Sequence, residues 1–304
     1  MTSSVERRAA SVSAGANTSR PVGEIGSRPG VGVALRWEVH KLLARRSVQA
    51  VLVAVVVLPS VVVGVLVLQP SAPTDSLFGR WVHTSGFAPS LVLLGFCGQW
   101  VLPLLVSLVA GDLMSSERHH GTWQSILTRS MPRSRIVLAK ILLAGLWAAL
   151  VVLLLGLSST VTGLLLVRAP ALASGGSLPG LDGTILSDGA ATRAVAIAWA
   201  TQLGPALAFA ALALLLSDLS RSSAVGIGGP AVLGLTLQLA GLVPSAHAAR
   251  PYLLTTGFEA WHGVLGTGAA LGPWLLASLV SLAWLVASLG GLLVRTTASS
   301  FDRP

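Results

Sequence analysis

Few residues in this sequence could do chemistry, and their types exclude more than they permit. Lys41 and Lys140 are the only lysines, and neither follows a glycine-rich loop. A phosphate-binding loop needs such a lysine on the nucleotide, so the chain is not its own ATP-hydrolysing motor and no cofactor is expected in it. The six histidines (His40, His83, His119, His120, His247, His262) all lie in polar segments. His119 and His120 adjoin each other without the further ligands that zinc takes, so no metal site is expected. Gly156, Ser158 and Ser159 share an apolar run, the setting of an intramembrane serine nucleophile. Such a serine needs a base within hydrogen-bond reach, and no apolar run carries His or Lys. Small residues there serve close helix packing instead. The single cysteine, Cys97, excludes an internal disulfide and a cysteine-based metal cluster. No catalytic residue is expected, and the chain reads as a non-enzyme.

The remaining polar or amphipathic groups inside apolar runs are Gln99, Trp100, Gln202 and Gln238. They are the candidate handles of a transport path, with interhelical hydrogen bonding as the alternative role of each glutamine. Proton and ion relays use intramembrane carboxylates, histidines or basic residues, and these runs have none. An aliphatic, uncharged path suits an amphiphile such as a drug, a lipid or an apolar peptide, and suits a bare ion poorly.

The elements that must hold these residues follow from composition. Of 304 residues, 53% are hydrophobic and only 10% charged, with a mean hydropathy of +0.78. Soluble domains carry about a quarter charged residues, so lipid is the expected outer solvent. The net charge of +9 is spread between long apolar runs rather than gathered in a patch, which speaks against nucleic acid as a partner. Six runs lack any Asp, Glu, Lys, Arg or His: about 48–68, 90–111, 141–167, 194–216, 224–243 and 274–294. Each is long enough, at about 20 residues, to cross a hydrocarbon core about 30 Å thick. The expected fold is all-α: a six-helix polytopic membrane domain over 48–295.

Residues 1–30, rich in Ser, Arg and Gly with no apolar run, read as a disordered cytoplasmic tail, and 296–304 as a second tail. Between tail and first span, 31–47 forms an amphipathic stretch with Val31, Leu35, Val39, Leu42 and Leu43 on one stripe. Arg36, His40, Lys41 and Arg45 lie opposite with Trp37 among them, the pattern of an interfacial helix on membrane lipid. With the N-terminus inside, sixteen of the 20 Lys and Arg fall on the cytoplasmic side and four on the other. That bias predicts both termini in the cytoplasm. Arginine outnumbers lysine 18 to 2, which with the Ala, Gly, Leu and Val bias points to a GC-rich bacterium and its inner membrane.

The longest charged internal loop runs from Asp112 to Lys140. Thr122 after Gly121 can cap a short helix from Trp123, Pro132 stops it, and Ser134 can cap the third span. Residues alone leave this either a docking element or a solvated loop. Glu117, three residues, Gly121-Thr122, then Ile126-Leu127, Arg133 and Lys140 fall in register with the signature of type-2 ATP-binding-cassette exporter permeases, which the chain therefore resembles. The departure is Ser130-Met131-Pro132-Arg133 where the family has Pro-Val-Ser-Arg. The resemblance implies a homo- or heterodimer of permease subunits on two P-loop ATP-binding subunits, which hold ATP and Mg. It implies that 117–135 is the coupling helix, through Glu117, Gly121, Thr122, Trp123, Arg129, Arg133 and Lys140. The helix over 31–47, with Arg36, Trp37, Lys41 and Arg45, corresponds to the family's elbow helix, and Glu117 is expected to tie the loop to it. Residues 244–273 resemble the family's re-entrant segment, a plain external loop being the alternative. A non-transporting membrane scaffold and an ion-coupled secondary transporter are the competing functions.

Overall fold

The computed structural model describes residues 30–119, 133–167, 177–265 and 271–298. A first helix, α1 (Val31–Leu43), is followed after an extended Arg45 by α2 (Arg46–Leu68). Then come α3 (Ala88–Phe96), a wider π-helical turn at Cys97–Val101, and α4 (Leu102–His119). The turn has a cause in Pro103. Proline gives no N–H to the carbonyl of Gln99 and its ring crowds that oxygen, and a widened turn relieves both. Helix α5 (Arg133–Leu166) is the longest, at 34 residues. A two-residue hairpin, β1 (Leu178–Pro179) against β2 (Ile185–Leu186), precedes α6 (Asp188–Thr201). Gly183 takes a φ of +82° in its turn, which glycine adopts without strain.

Helix α6 breaks at Gln202 and resumes as α7 (Leu203–Ser220), with Pro205 in its first turn. Helix α8 (Ser223–Gly241) follows. The link is two residues long, and Arg221 sits in left-handed conformation at φ +56°, the usual way to end a helix in a tight turn. Two successive 3-10 helices, Pro244–Tyr252 and Leu254–Val264, lead towards α9 (Leu271–Ala298).

The chain is thus an all-α polytopic membrane protein, with six helical segments among the described residues long and apolar enough to cross a bilayer. The observed spans outrun the charge-free runs where helix continues into polar sequence. The third begins at Ser134 rather than near 141, so Ser134 lies within a helix that starts at Arg133 and is not its cap. Helix α1 stops at Leu43, not at 47, because the chain straightens at Arg45. Of its expected stripe, Val31, Leu35, Val39 and Leu42 are partly or fully buried where α1 meets α5, but Leu43 is exposed and does not belong to the buried side.

Spans two, three and four form the core, with about half or more of each buried; spans one, five and six are only 17–22% buried and turn apolar faces outward. The centre holds Leu102, Val106, Ala110, Ala206, Phe209 and Ala213. Lipid offers no hydrophobic drive between helices, so close backbone approach and interhelical hydrogen bonds must hold them. Both occur. Ser90 meets Ser159 at 2.9 Å and Thr160 at 2.8 Å, and Trp199 Nε1 donates to Ser90 Oγ at 3.0 Å, joining spans two, three and four. Ser159 therefore sits in a packing network of hydroxyl groups and the Trp199 indole. Gly111 of α4 and Gly226 of α8 bring two backbones together: a Cβ on Gly111 would lie 2.3 Å from the carbonyl carbon of Gly226.

Gly226→Ala should therefore wedge α4 from α8 and lower stability by about 1–3 kcal/mol, the usual effect of overpacking. Gly228→Ala on the same helix has open space around it and should be neutral or stabilising by up to about 1 kcal/mol, through helix propensity. Thermal unfolding of the detergent-solubilised variants measures the contrast.

Candidate functional site

The polar groups of the folded chain collect at two places, one on the face that carries α1 and one on the far face. On the first, the break at Ala44 and Arg45 turns Arg45 towards Asp112 near the end of span two, and their side chains form an ion pair. On the same face Lys140, only 1% exposed, lies 3.7 Å from Glu38 of α1 and donates at 2.6 Å to the carbonyl of Leu113. Glu38 is itself buried. Charges this deep are tolerated only when paired and hydrogen-bonded. The Lys140 pair ties α1 to α5 and the Arg45 pair ties the junction of α1 and α2 to α4; α4 and α5 flank segment 120–132. Asp218, buried at the end of α7, accepts from Arg295 of α9 at 3.0 Å and closes the same face on its other side.

Of the residues expected to couple the chain to a partner, Lys140 is at the centre of this cluster. Glu117 is in α4 and Arg133 opens α5, but their side chains, together with Gly121, Thr122, Trp123 and Arg129, lie outside the described residues. Lys41 of α1 and Arg45, just before α2, are half-buried, while Arg36 and Trp37 of α1 are exposed. The acids Glu38, Asp112 and Asp218 were not foreseen. Asp112 and Asp218 stand within two residues of the end of an apolar run, and such an edge acid is the signal that could have found them. Glu38 has no local sign, since its partner lies 102 residues away.

At the far face, the second 3-10 helix reaches inward to both helix breaks. Leu254, Phe258 and Trp261 are buried, and Phe258 stacks on Phe209 of α7 at 5.8 Å. Gln202, fully buried at the break in span four, donates to the carbonyl of Phe258 at 3.2 Å. Its Oε1 fills the space where a Cβ on Gly98 would stand, 2.7 Å away. Beside it runs a polar chain. Gln238 Nε2 donates to Gln99 Oε1 at 2.9 Å, and Gln99 Nε2 donates to Glu259 Oε1 at 2.9 Å. Arg250 holds both oxygens of Glu259, at 3.1 and 2.9 Å. Gln99 is 11 residues into its span from Ala88, about 16 Å at helical rise, so segment 244–265 reaches well into the depth of the bundle. Irregular backbone is tolerated at that depth only where protein or a cavity surrounds it.

Of the four residues expected along a path, the three glutamines make the hydrogen bonds within the bundle that were the alternative role for them. Gln99 and Gln238 are joined, Gln202 is separately buried, and Trp100 is 45% exposed and shares in neither. Glu259 and Arg250 were missed, since they lie outside the apolar runs. His262, against the Trp261 ring at 4.2 Å, has its imidazole pKa lowered below 6.5, chiefly by burial; Glu259 opposes the shift and Arg250 reinforces it.

Residues 34–229 match the family described as ABC-2 family transporter protein. The uncharacterized protein YhcI of Bacillus subtilis (strain 168) is 24% identical over 226 residues, 71% of this chain and 67% of that protein. The family match takes in Glu38, Asp112, Lys140 and Asp218 and stops short of Gln238, Arg250 and Glu259.

Lys140→Met leaves Glu38 buried without its cation and should lower stability by about 3–5 kcal/mol. Adding Glu38→Leu removes the stranded charge and should recover most of that loss, as thermal unfolding would show. The pH dependence of His262 has a definite sign. Its folded pKa is depressed, so its contribution is present above about 6.5 and fades as pH falls below it, because the unfolded chain takes the proton first. The parent should therefore lose more stability than His262→Gln between pH 7.5 and 5.5.

Proposed function

The chain belongs to the ABC-2 family of transporter proteins, and from that premise we propose that it is the membrane-spanning permease subunit of an ATP-driven exporter. A multi-pass membrane protein of this family has no nucleotide site of its own, and the family works with an ATP-binding partner. In the proposed assembly, ATP and Mg are held by separate P-loop subunits, two permease copies or a related second permease complete the membrane part, and an amphiphile is carried outward. The charge bias of the sequence supports placing α1 and both termini at the cytoplasmic face of a bacterial inner membrane.

The observation that carries this reading is the pair of ionic ties, Lys140 to Glu38 of α1 and Asp112 to Arg45 at the junction of α1 and α2, made from the two helices that frame segment 120–132. Salt bridges in water contribute about 0–1 kcal/mol and give way easily. A tie whose lysine is 1% exposed does not yield so readily, because parting it strands a charge. A push on segment 120–132 is thereby delivered to α1, α4 and α5 together. The exposed face of α1 mixes Val33, Trp37 and Leu43 with Arg36 and His40, a composition suited to the headgroup level of a membrane. In this reading α1 is the elbow through which movement of the ATPase reaches spans one to three.

The test combines assembly, turnover and topology. A P-loop ATPase subunit should copurify with the chain, the complex should hydrolyse ATP, and the isolated chain should not. Lys140→Met complexes that still assemble should lose about tenfold of substrate-stimulated hydrolysis. Single cysteines replacing Ser47 and Ser71, both exposed, in a Cys97→Ser background report orientation. An impermeant reagent should label only the second in intact cells. If no ATPase binds and labelling is unchanged, the chain is a membrane scaffold instead.

A further inference from the structure

Beside the polar chain of the far face, a cleft of about 590 Å³ opens between spans one and two. That volume is within the range that takes a drug-sized ligand. One wall is Val62 and Leu66 of α2; the other is Leu91, Phe96 and Gln99 of span two; Trp261 and His262 close it from the second 3-10 helix. Val62 is 42% and Phe96 62% exposed, so the cleft is open sideways along two transmembrane helices, where hydrocarbon would stand.

The charged residues among its described lining are Asp75 at the rim and Glu259 at the inner end. Glu259 accepts one bond from Gln99 and two from Arg250, which leaves acceptor capacity in a carboxylate with about four lone-pair sites. Arg250 approaches Glu259 from outside the lining. His262 is held towards its neutral form by burial and adds no positive charge at neutral pH. Because Arg250 pairs with both oxygens of Glu259 from outside the lining, the inner end presents the negative side of an ion pair, and Asp75 adds a carboxylate at the rim. An apolar slot so lined complements a cation that carries apolar bulk, and opposes an anion of the same shape.

We propose that this cleft is a lateral binding site for a lipophilic cation, its charge facing Glu259 and its apolar body lying against Val62, Leu66 and Phe96. As the site where cargo enters, it rests on the permease reading, but binding itself requires no ATPase. The assay uses the full chain in discs of zwitterionic phosphatidylcholine. Tetraphenylphosphonium and tetraphenylborate have one shape and opposite charge, and each is followed by equilibrium dialysis against empty discs. The phosphonium should bind saturably and the borate should show nothing above empty discs. Glu259→Gln should weaken phosphonium binding about tenfold. Val62→Trp, which fills the slot from its exposed rim without touching the polar chain, should abolish it. Equal saturable binding of the borate, or undiminished phosphonium binding in Val62→Trp, overturns the proposal even if Glu259→Gln does not fold. An ATPase that copurifies with a chain failing this assay leaves the permease reading intact and removes only the cation site.

Discussion

Within a bilayer no water stands ready to solvate a polar group, so each one admitted to the bundle needs a partner inside the protein. This requirement accounts for most of what distinguishes one span from another here. Spans one, five and six stay at the periphery and make fewer such links, Ser60 with Thr162 and Gln238 with Gln99 among them. Spans two, three and four carry Ser90, Ser159, Thr160 and Trp199, which satisfy one another across helices, and these are the buried ones. The charges follow the same rule at the ends of the spans. Lys140, Glu38, Arg45, Asp112, Asp218 and Arg295 are all engaged with opposite charges from a distant part of the chain.

The two faces use polar pairing differently. On the α1 face the bonds join helix to helix and are ionic, so they transmit force. On the far face they tie a strand of irregular chain to the two places where helices are interrupted, the π-helical turn at 97–101 and the break at Gln202. Both interruptions stem from prolines that follow shortly after, Pro103 and Pro205, which deny a donor to a carbonyl in the preceding turn. Interrupted helices leave backbone and glutamine groups to satisfy, and the 3-10 segment supplies carbonyl and carboxylate acceptors for them.

How much of this could be read beforehand depended on the range of the interaction. The six spans were legible because the absence of charge over about 20 residues is a local property. Their ends were not, because a helix continues through Arg135 and Lys140 when a partner such as Glu38 is folded against it. Gln99 and Gln238 stood out as polar groups in apolar runs, yet nothing near either names the other, 139 residues apart. Glu259 lay in a segment whose inward course depends on the shape of the bundle it enters. The amphipathic stripe of α1 was real, but a stripe does not declare what covers it, and here α5 does.

One geometric relation between α4 and α8 extends these points into mechanics. Their backbones touch at Gly111 and Gly226, and their polar link, Gln99 to Gln238, lies 12 residues from the contact on either helix. That is a lever arm of about 18 Å. Pivoting about the glycine contact by about 5° swings the far ends apart by roughly 1.6 Å, enough to part a 2.9 Å hydrogen bond. A fulcrum beside the ionic ties thus converts a slight tilt there into a broken latch deep in the bundle, with no helix having to slide along its axis.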